Sequence, residues 1–267
     1  MISTDHDNLP SLPAGLYDEK YFLSSCEGFD EFNSTSGVQL SLRLQKSLEY
    51  ANIESGMKVL DIGSGRGEII SACSKLGADA YGIDYAAAAV NISRLSEENN
   101  SQVSLADAKD LPFPHNCFDR ILILDVVEHL FPWELQRALQ QVYRVLKQDG
   151  LIIIHTAPNA WYDLYAYPFV RLFRIMLGQG RSYPANPRAL NVAVNLEVHV
   201  NEQSALSMWL HLRKSGFSSK VWLDTPPQNR NGSAWLSGIR KLLFGAPPFR
   251  WFFQREVFAV AWRKTKS

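Results

Sequence analysis

VLDIGSGRGE, residues 59–68, decides how this chain folds. Val59, Leu60 and Ile62 surround a single acid, Asp61, and glycines then stand at every second position: Gly63, Gly65 and Gly67. The apolar run predicts a short buried strand, and "RGEIISACSKLG" after it predicts a helix closed by Gly77. A glycine turn between a strand and a helix lets backbone amides approach a ligand at a helix N-terminus. A dinucleotide site asks for G-x-G-x-x-G, but the third required position here is Glu68. Asp61, just before the turn, is unhelpful to a pyrophosphate and suits a ligand that carries positive charge.

Outward from this stretch the pattern repeats. "DAYGIDY", "QVSLADA", "FDRILILDVV" and "LIIIHTAP" predict four more strands. "AAAAVNISRLSEEN" and "PWELQRALQQVYRVLKQDG" predict helices between them, the second with proline near its start and glycine at its end. Upstream, "VQLSLRLQKSLEYANI" has helical spacing. Strands alternating with helices imply an α/β fold with a parallel sheet, and runs such as "ILIL" and "LIII" fit a sheet covered on both faces. In such sheets ligands bind beyond the carboxyl ends of the strands.

Three of those ends carry acids. Asp84 ends the second strand, where a carboxylate can bind both hydroxyls of a ribose or simply cap the next helix. Asp107, in "ADAKDLPFP", is placed for an adenine amino group or for capping a turn. Asp125 ends the fourth strand in "LDVVEHL". Together with Asp61 they suit a positively charged amino acid attached to adenosine better than a phosphate-bearing nucleotide.

The stretch from about 57 to 156 resembles the class I S-adenosylmethionine-dependent methyltransferases, small-molecule branch, including the methyltransferase type 11 and quinone-biosynthesis-like enzymes. The resemblance rests on "VLDIGSGRGE", "YGIDYA", "ADAKDLPFPHNCFDRILILDVVEHL" and "RVLKQDGLIII", in that order and spacing. It implies a Rossmann-like, doubly wound seven-stranded sheet with the last strand antiparallel, plus a helical cap and insertion. The implied cofactor is S-adenosyl-L-methionine. Asp61, Gly63, Ser64, Gly65 and Gly67 would hold its methionine part, Asp84 the ribose, and Asp107 with Ala108 the adenine edge; Tyr85 would also bind the cofactor, and Asp125 would line the pocket near the methionine. The fourth strand is followed by "DVVEHL" rather than the N-P-P-Y-type motif of nucleic-acid amino-methyltransferases. The implied activity is methyl transfer to a small organic acceptor, with a natural-product, glycoside or lipid-like hydroxyl favoured over carbon or nitrogen. A non-catalytic S-adenosylmethionine-binding protein is the rival reading. His129 is the candidate general base because imidazole titrates near neutral pH. His199 either faces the acceptor or supports the start of "NEQSALSMWLHLRKSGF".

Bulk properties narrow the field. The 267 residues are 46% hydrophobic with zero formal net charge, which suits one domain with a sizeable core and argues against nucleic-acid binding by bulk charge. Cys26, Cys73 and Cys117 form no C-x-x-C pair, and His115 with Cys117 makes too few ligands for a metal site, so no metal is expected. Free thiols, a polar N-terminus unlike a signal peptide and no spanning apolar run suggest a cytoplasmic protein. The expected organisation is one domain over 1–267: N-terminal cap helices in 1–55, a cofactor-binding core in 56–157, a lid-like insertion in 158–200, and a C-terminal helix with the last strands in 201–267. Tyr17, Tyr21 and Phe22 are placed to close over the cofactor. "WYDLYAYPFVRLFRIMLG" is too apolar for disorder and predicts a helical lid over the acceptor, while "SAWLSGIRKLLFGAPPFRWFFQRE" is basic and aromatic. Both segments are open to an internal packing role, a homodimer contact, or a peripheral membrane or apolar-substrate contact.

Overall fold

The computed structural model describes residues 9–26, 28–35, 37–94, 102–189, 195–224, 242–243 and 245–264. Three helices come first: α1 (Glu19–Ser24), α2 (Phe29–Thr35) and α3 (Leu42–Ala51). Asp18 caps α1 by accepting the Tyr21 N–H at 2.8 Å, and Ser41 caps α3 through the Leu44 N–H. The alternating core follows: β1 (Lys58–Ile62), α4 (Glu68–Lys75), β2 (Asp79–Asp84), α5 (Ala87–Arg94), β3 (Val103–Leu105), β4 (Phe118–Leu124), α6 (Pro132–Val145) and β5 (Leu146–Thr156). A π-helical turn over Tyr162–Ala166 leads into α7 (Tyr167–Met176). Then come α8 (Asn195–Val198), α9 (Ala205–Lys214), β6 (Phe217–Asp224), α10 (Arg250–Phe253) and β7 (Glu256–Arg263).

The seven strands form one sheet in the order β3-β2-β1-β4-β5-β7-β6. Strands β1 to β5 pair in parallel, as the alternating pattern predicts, and β7 runs antiparallel between β5 and β6, as the resemblance implies. Strand order reverses between β1 and β4, so the ends of these strands open the crevice where a ligand can enter. Side-chain alternation gives the sheet two cores. Leu60, Ile121 and Ile123 pack with Leu135, Leu139 and Val142 of α6 and with Met208 and Leu212 of α9. Val59, Leu122 and Ile153 pack on the other side with Ile69, Ile70 and Cys73 of α4, Val90 of α5 and Ala51 of α3.

One boundary differs from expectation. The amphipathic helix was expected to run to Gly150, but α6 stops at Val145 and Leu146 turns extended, with φ −70° and ψ 138°. Leu146 already pairs with Phe118, and the register then jumps to Leu151 opposite Arg120. The residues between form a bulge, held to β4 by Lys147 Nζ at 2.8 Å from Asp119 Oδ2. Gly150 is needed there, since a Cβ on it would sit 2.7 Å from Leu146 Cδ1. It closes a bulge rather than a helix.

The expected helix over 86–99 is present as α5, and residues 95–99 lie outside the described part. So do 233–241 of the basic aromatic segment and 190–194 of the insertion's return. The described portions of the insertion and that segment meet: Trp161 stacks on Phe252 at 5.8 Å, Tyr165 meets it edge-on at 5.7 Å, and Asn159 donates to the carbonyls of Trp251 and Gln254. Among the described residues no helix is long and apolar enough to cross a membrane.

Candidate active site

A cavity opens at the carboxyl ends of β1, β2 and β4. Its walls include Asp61, Gly63, Ser64 and Gly65 from the glycine turn, Asp84 and Tyr85 from the end of β2, Asp107 and Ala108 after β3, and Asp125 and His129 after β4. Leu12, Tyr17, Tyr21 and Phe22 cover it from the N-terminal side. Of the sequence-expected site residues, Gly67 and His199 stand outside this lining.

The turn is built by steric necessity. Gly63 has φ +75°, and a Cβ there would lie 2.3 Å from Val126 Cγ2, so the β1 and β4 loops approach too closely for any side chain. Gly65 has φ +50°, with only the Phe22 ring beyond 3.7 Å, so its open side belongs to the cavity. Gly67 takes the left-handed N-cap of α4. The Gly65 N–H donates to Asp84 Oδ2 at 2.9 Å and the Ala86 N–H to Oδ1 at 2.8 Å, so Asp84 joins the turn to β2 and holds the residue that precedes the next helix. Burial raises the Asp84 carboxyl above its usual range, against the pull of those amides.

Asp61 is 3% exposed, and burial, reinforced by Asp84 and Glu68, pushes its carboxyl up to about 8. Such an acid is stabilised by a cation placed in the cavity. Ser64 Oγ is buried with no hydrogen-bond partner among the described residues. A carboxylate acceptor beside Ser64 would satisfy it. The turn thus offers an acid, an unpartnered hydroxyl and an open glycine, the complement of a zwitterionic amino acid. These residues fit the methionine end of S-adenosylmethionine.

At the other end, Lys109 ties the wall together. Its Nζ lies 3.0 Å from Asp107 Oδ2 and 2.8 Å from Glu134 Oε1, and it sits over the rings of Tyr85 and Trp133. Asp107 Oδ1 accepts the Lys109 N–H, so its turn-capping role is present. Asp125 has φ +54° and lies 2.9 Å from His155 Nδ1 and 3.2 Å from Arg43 Nη1. Burial works against its charge, but His155 and Arg43 outweigh burial and hold it well below the ordinary carboxylate range.

His129 Nδ1 lies 3.1 Å from the Val198 carbonyl and 3.2 Å from Tyr17 Oη. A carbonyl only accepts, so Nδ1 carries the hydrogen and Nε2 is left as the acceptor. Burial, helped by His199, pushes the His129 imidazole down to about 3, far below the near-neutral titration expected from its residue type, so it is held neutral and is a weaker base than a free imidazole. The rings of His129 and His199 meet edge-to-face at 5.1 Å, and burial lowers His199 to about 4. The structure therefore brings both histidines together, with His199 behind His129. Glu128, His129 and His199 place one potential metal donor each within 4.8 Å of one another; Thr156 Oγ1 already donates to Glu128 at 2.7 Å, and Val198 engages His129.

Sequence reasoning passed over several members of this site. Arg66 is 4% exposed, pairs with Glu68 and donates to the Phe22 carbonyl at 2.7 Å, fastening α1 over the turn. Glu128, which burial pushes up to about 8, was hidden in "DVVEHL" because nothing local marks it as buried. Arg43 and Lys109 are charges on segments far from their partners in sequence, so only the fold reveals them.

Residues 60–154 match the family model described as a methyltransferase domain. The ubiquinone/menaquinone biosynthesis C-methyltransferase UbiE of Coxiella burnetii is 29% identical over 181 residues, 60% of this chain and 68% of that protein. The UbiE of Neisseria meningitidis serogroup A is 27% identical over 208 residues, 74% of this chain and 82% of that protein. The fold matches a crystal structure of a SAM-dependent methyltransferase from Archaeoglobus fulgidus, with TM-score 0.55 and 20% identity over 82% of this chain and 90% of that one. The fold and site define a Rossmann-like enzyme that uses S-adenosylmethionine. Residues 60–154 carry the match to a methyltransferase domain, and the chain is similar to class I S-adenosylmethionine-dependent methyltransferases of small molecules.

Proposed function

We propose that the acceptor is a hydroxyl, on a natural product, glycoside or lipid-like molecule, and that His129 takes its proton. The observation behind this reading is the place of His129 in the cavity wall, with Nδ1 3.1 Å from the Val198 carbonyl; a hydrogen on Nδ1 satisfies that carbonyl and leaves Nε2 to accept. S-adenosylmethionine, when bound, supplies a methyl group already activated by a sulfonium. Asp61, Ser64 and Gly65 hold its amino-acid end, Asp84 and Tyr85 its ribose, and Asp107 with Ala108 its base. The protein's remaining work is to orient the acceptor oxygen and to receive the hydroxyl proton at Nε2 as the new carbon–oxygen bond forms. Tyr17 and Tyr21 pack edge-on at 5.2 Å over this space and exclude water. His199 orients His129 from behind. No disulfide links Cys26, Cys73 and Cys117, which suits a reducing, cytoplasmic setting.

A carbon acceptor is the second reading, favoured by the printed name of the UbiE relatives. An acceptor carbanion needs a base less than a hydroxyl does. Methyl transfer to a panel of hydroxylated apolar compounds and glycosides separates the two, with wild type and His129→Ala compared, with and without chelator. The hydroxyl reading expects kcat to fall about 10²- to 10⁴-fold in the variant, with cofactor affinity and chelator response unchanged. A variant that turns over at the wild-type rate would remove His129 as the base, and a product carrying its new methyl on carbon would move the assignment there.

A further inference from the structure

The helix α7 presents its apolar stripe to solvent. Tyr165, Phe169, Leu172, Phe173 and Met176 follow the spacing that ordinarily turns toward a core, yet they are 50%, 72%, 57%, 43% and 70% exposed. The opposite side of α7 is the one that packs: Tyr167 is buried and donates to the Pro184 carbonyl, and Arg171 donates to the Tyr183 carbonyl. Beside the stripe, Phe249 and Trp251 are 42% and 45% exposed. They are held in place because Phe252, next in the chain, stacks on Trp161 and meets Tyr165. Two segments far apart in sequence therefore form one aromatic and aliphatic surface.

Charge decides what covers it. Arg171 and Arg174 turn to Tyr183 on the packed side of α7, but Arg181 and Arg250 are exposed, the latter between Phe249 and Trp251, and residues 164–189 contain no aspartate or glutamate. Arg188 is answered by Glu202 outside this stretch. The nearest acid in the chain, Asp163, is half-buried, and burial pushes it up to about 6. The whole chain is neutral, so this face is a local positive excess. A second copy docked about a two-fold axis would set arginine near arginine across an apolar seam with no acid to answer it. An anionic bilayer supplies the missing charge to the arginines and a hydrocarbon boundary to the stripe, with Trp251, Tyr165 and Phe249 at headgroup depth. We propose that α7 and the Phe249–Trp251 turn form a docking face for an anionic lipid bilayer, lying on it without crossing it.

The test is binding, so it stands apart from the identity of the methyl acceptor. The full chain is sedimented with vesicles of phosphatidylcholine alone and of phosphatidylcholine with a quarter phosphatidylglycerol, at low and high salt. The expected result is partition onto the phosphatidylglycerol vesicles, weakened by salt and nearly absent with neutral lipid. Phe169→Ser with Met176→Ser should weaken that partition about tenfold or more, because both side chains are solvent-facing and would enter the boundary. Their exposure also means that thermal stability and S-adenosylmethionine affinity stay at wild-type values. Arg250→Glu should weaken partition and flatten its salt dependence. A wild type that stays in solution with every vesicle overturns the proposal. So does a wild type that sediments as a dimer in the absence of lipid and becomes monomeric in the serine variant, since the face would then be covered by a second copy.

Discussion

Asp61 carries the most direct physical prediction. Its carboxyl is pushed up to about 8 in the folded protein, against ~3.9 in an unfolded chain. The sign follows: folding favours the protonated form, so its burial costs increasing stability as pH rises from about 4 to about 8. An ammonium group beside it restores the charged form. Binding of S-adenosylmethionine between those pH values should therefore release a proton, read as a buffer-dependent enthalpy in titration calorimetry. Asp61→Asn should abolish that release and weaken binding strongly, while raising the melting temperature of the free protein at pH 8. Binding without proton release in several buffers would remove Asp61 from the ammonium contact. The acid is thus kept at a cost to the fold, as expected of a group held for a ligand.

Elements meet at this site with little slack. The end of β1 and the loop after β4 approach so closely that Gly63 and Val126 share one space. Gly63→Ala adds a methyl 2.3 Å from Val126 Cγ2 at a left-handed φ of +75°. A loss of roughly 1–3 kcal/mol in chemical denaturation is expected. Adding Val126→Ala should return the steric part and leave the backbone part. If the double variant is no more stable than the single, the contact is not what excludes a side chain. The same scale explains the α6 boundary: helical periodicity continued past Val145, but pairing of Leu146 with Phe118 outweighed it.

Across the whole molecule, Arg43 joins the N-terminal cap to the sheet. From α3 it reaches Asp125 after β4 and Glu256 at the start of β7, both at 3.2 Å. Arg43→Ala would leave those carboxylates without its charge. With the arginine side chain 20% exposed, a loss of about 2–3 kcal/mol is expected, less than for a fully buried pair. Asp125 is held below the usual carboxylate range, so its contribution is present above about pH 4 and is lost as the pH falls further. Acid unfolding followed by circular dichroism should therefore show a shallower decline below pH 4 in Arg43→Ala than in wild type. Parallel acid curves for the two proteins would separate Asp125 from Arg43.

The amino-acid sequence by itself determined the alternating strands and helices, the glycine turn, and the acids at the ends of β1, β2 and β4. These follow from local rules: apolar periodicity, glycine at constrained backbone positions, and the position of a residue at a strand's end. The resemblance carried by those motifs extended the reading to the antiparallel last strand and the cofactor. The tertiary structure decided what depends on partners distant in the chain. It tied Arg66 to the Phe22 carbonyl, brought Lys109 to Glu134, and set His129 Nδ1 against the Val198 carbonyl. It also turned the α7 stripe outward, a choice the sequence leaves open because the same periodicity serves a core or a bilayer surface. Among the described residues lining the cavity, none comes from 158–200, the stretch read from the sequence as a lid-like insertion. Burial and long-range pairing set these outcomes, and neither is a property of a residue and its sequence neighbours alone.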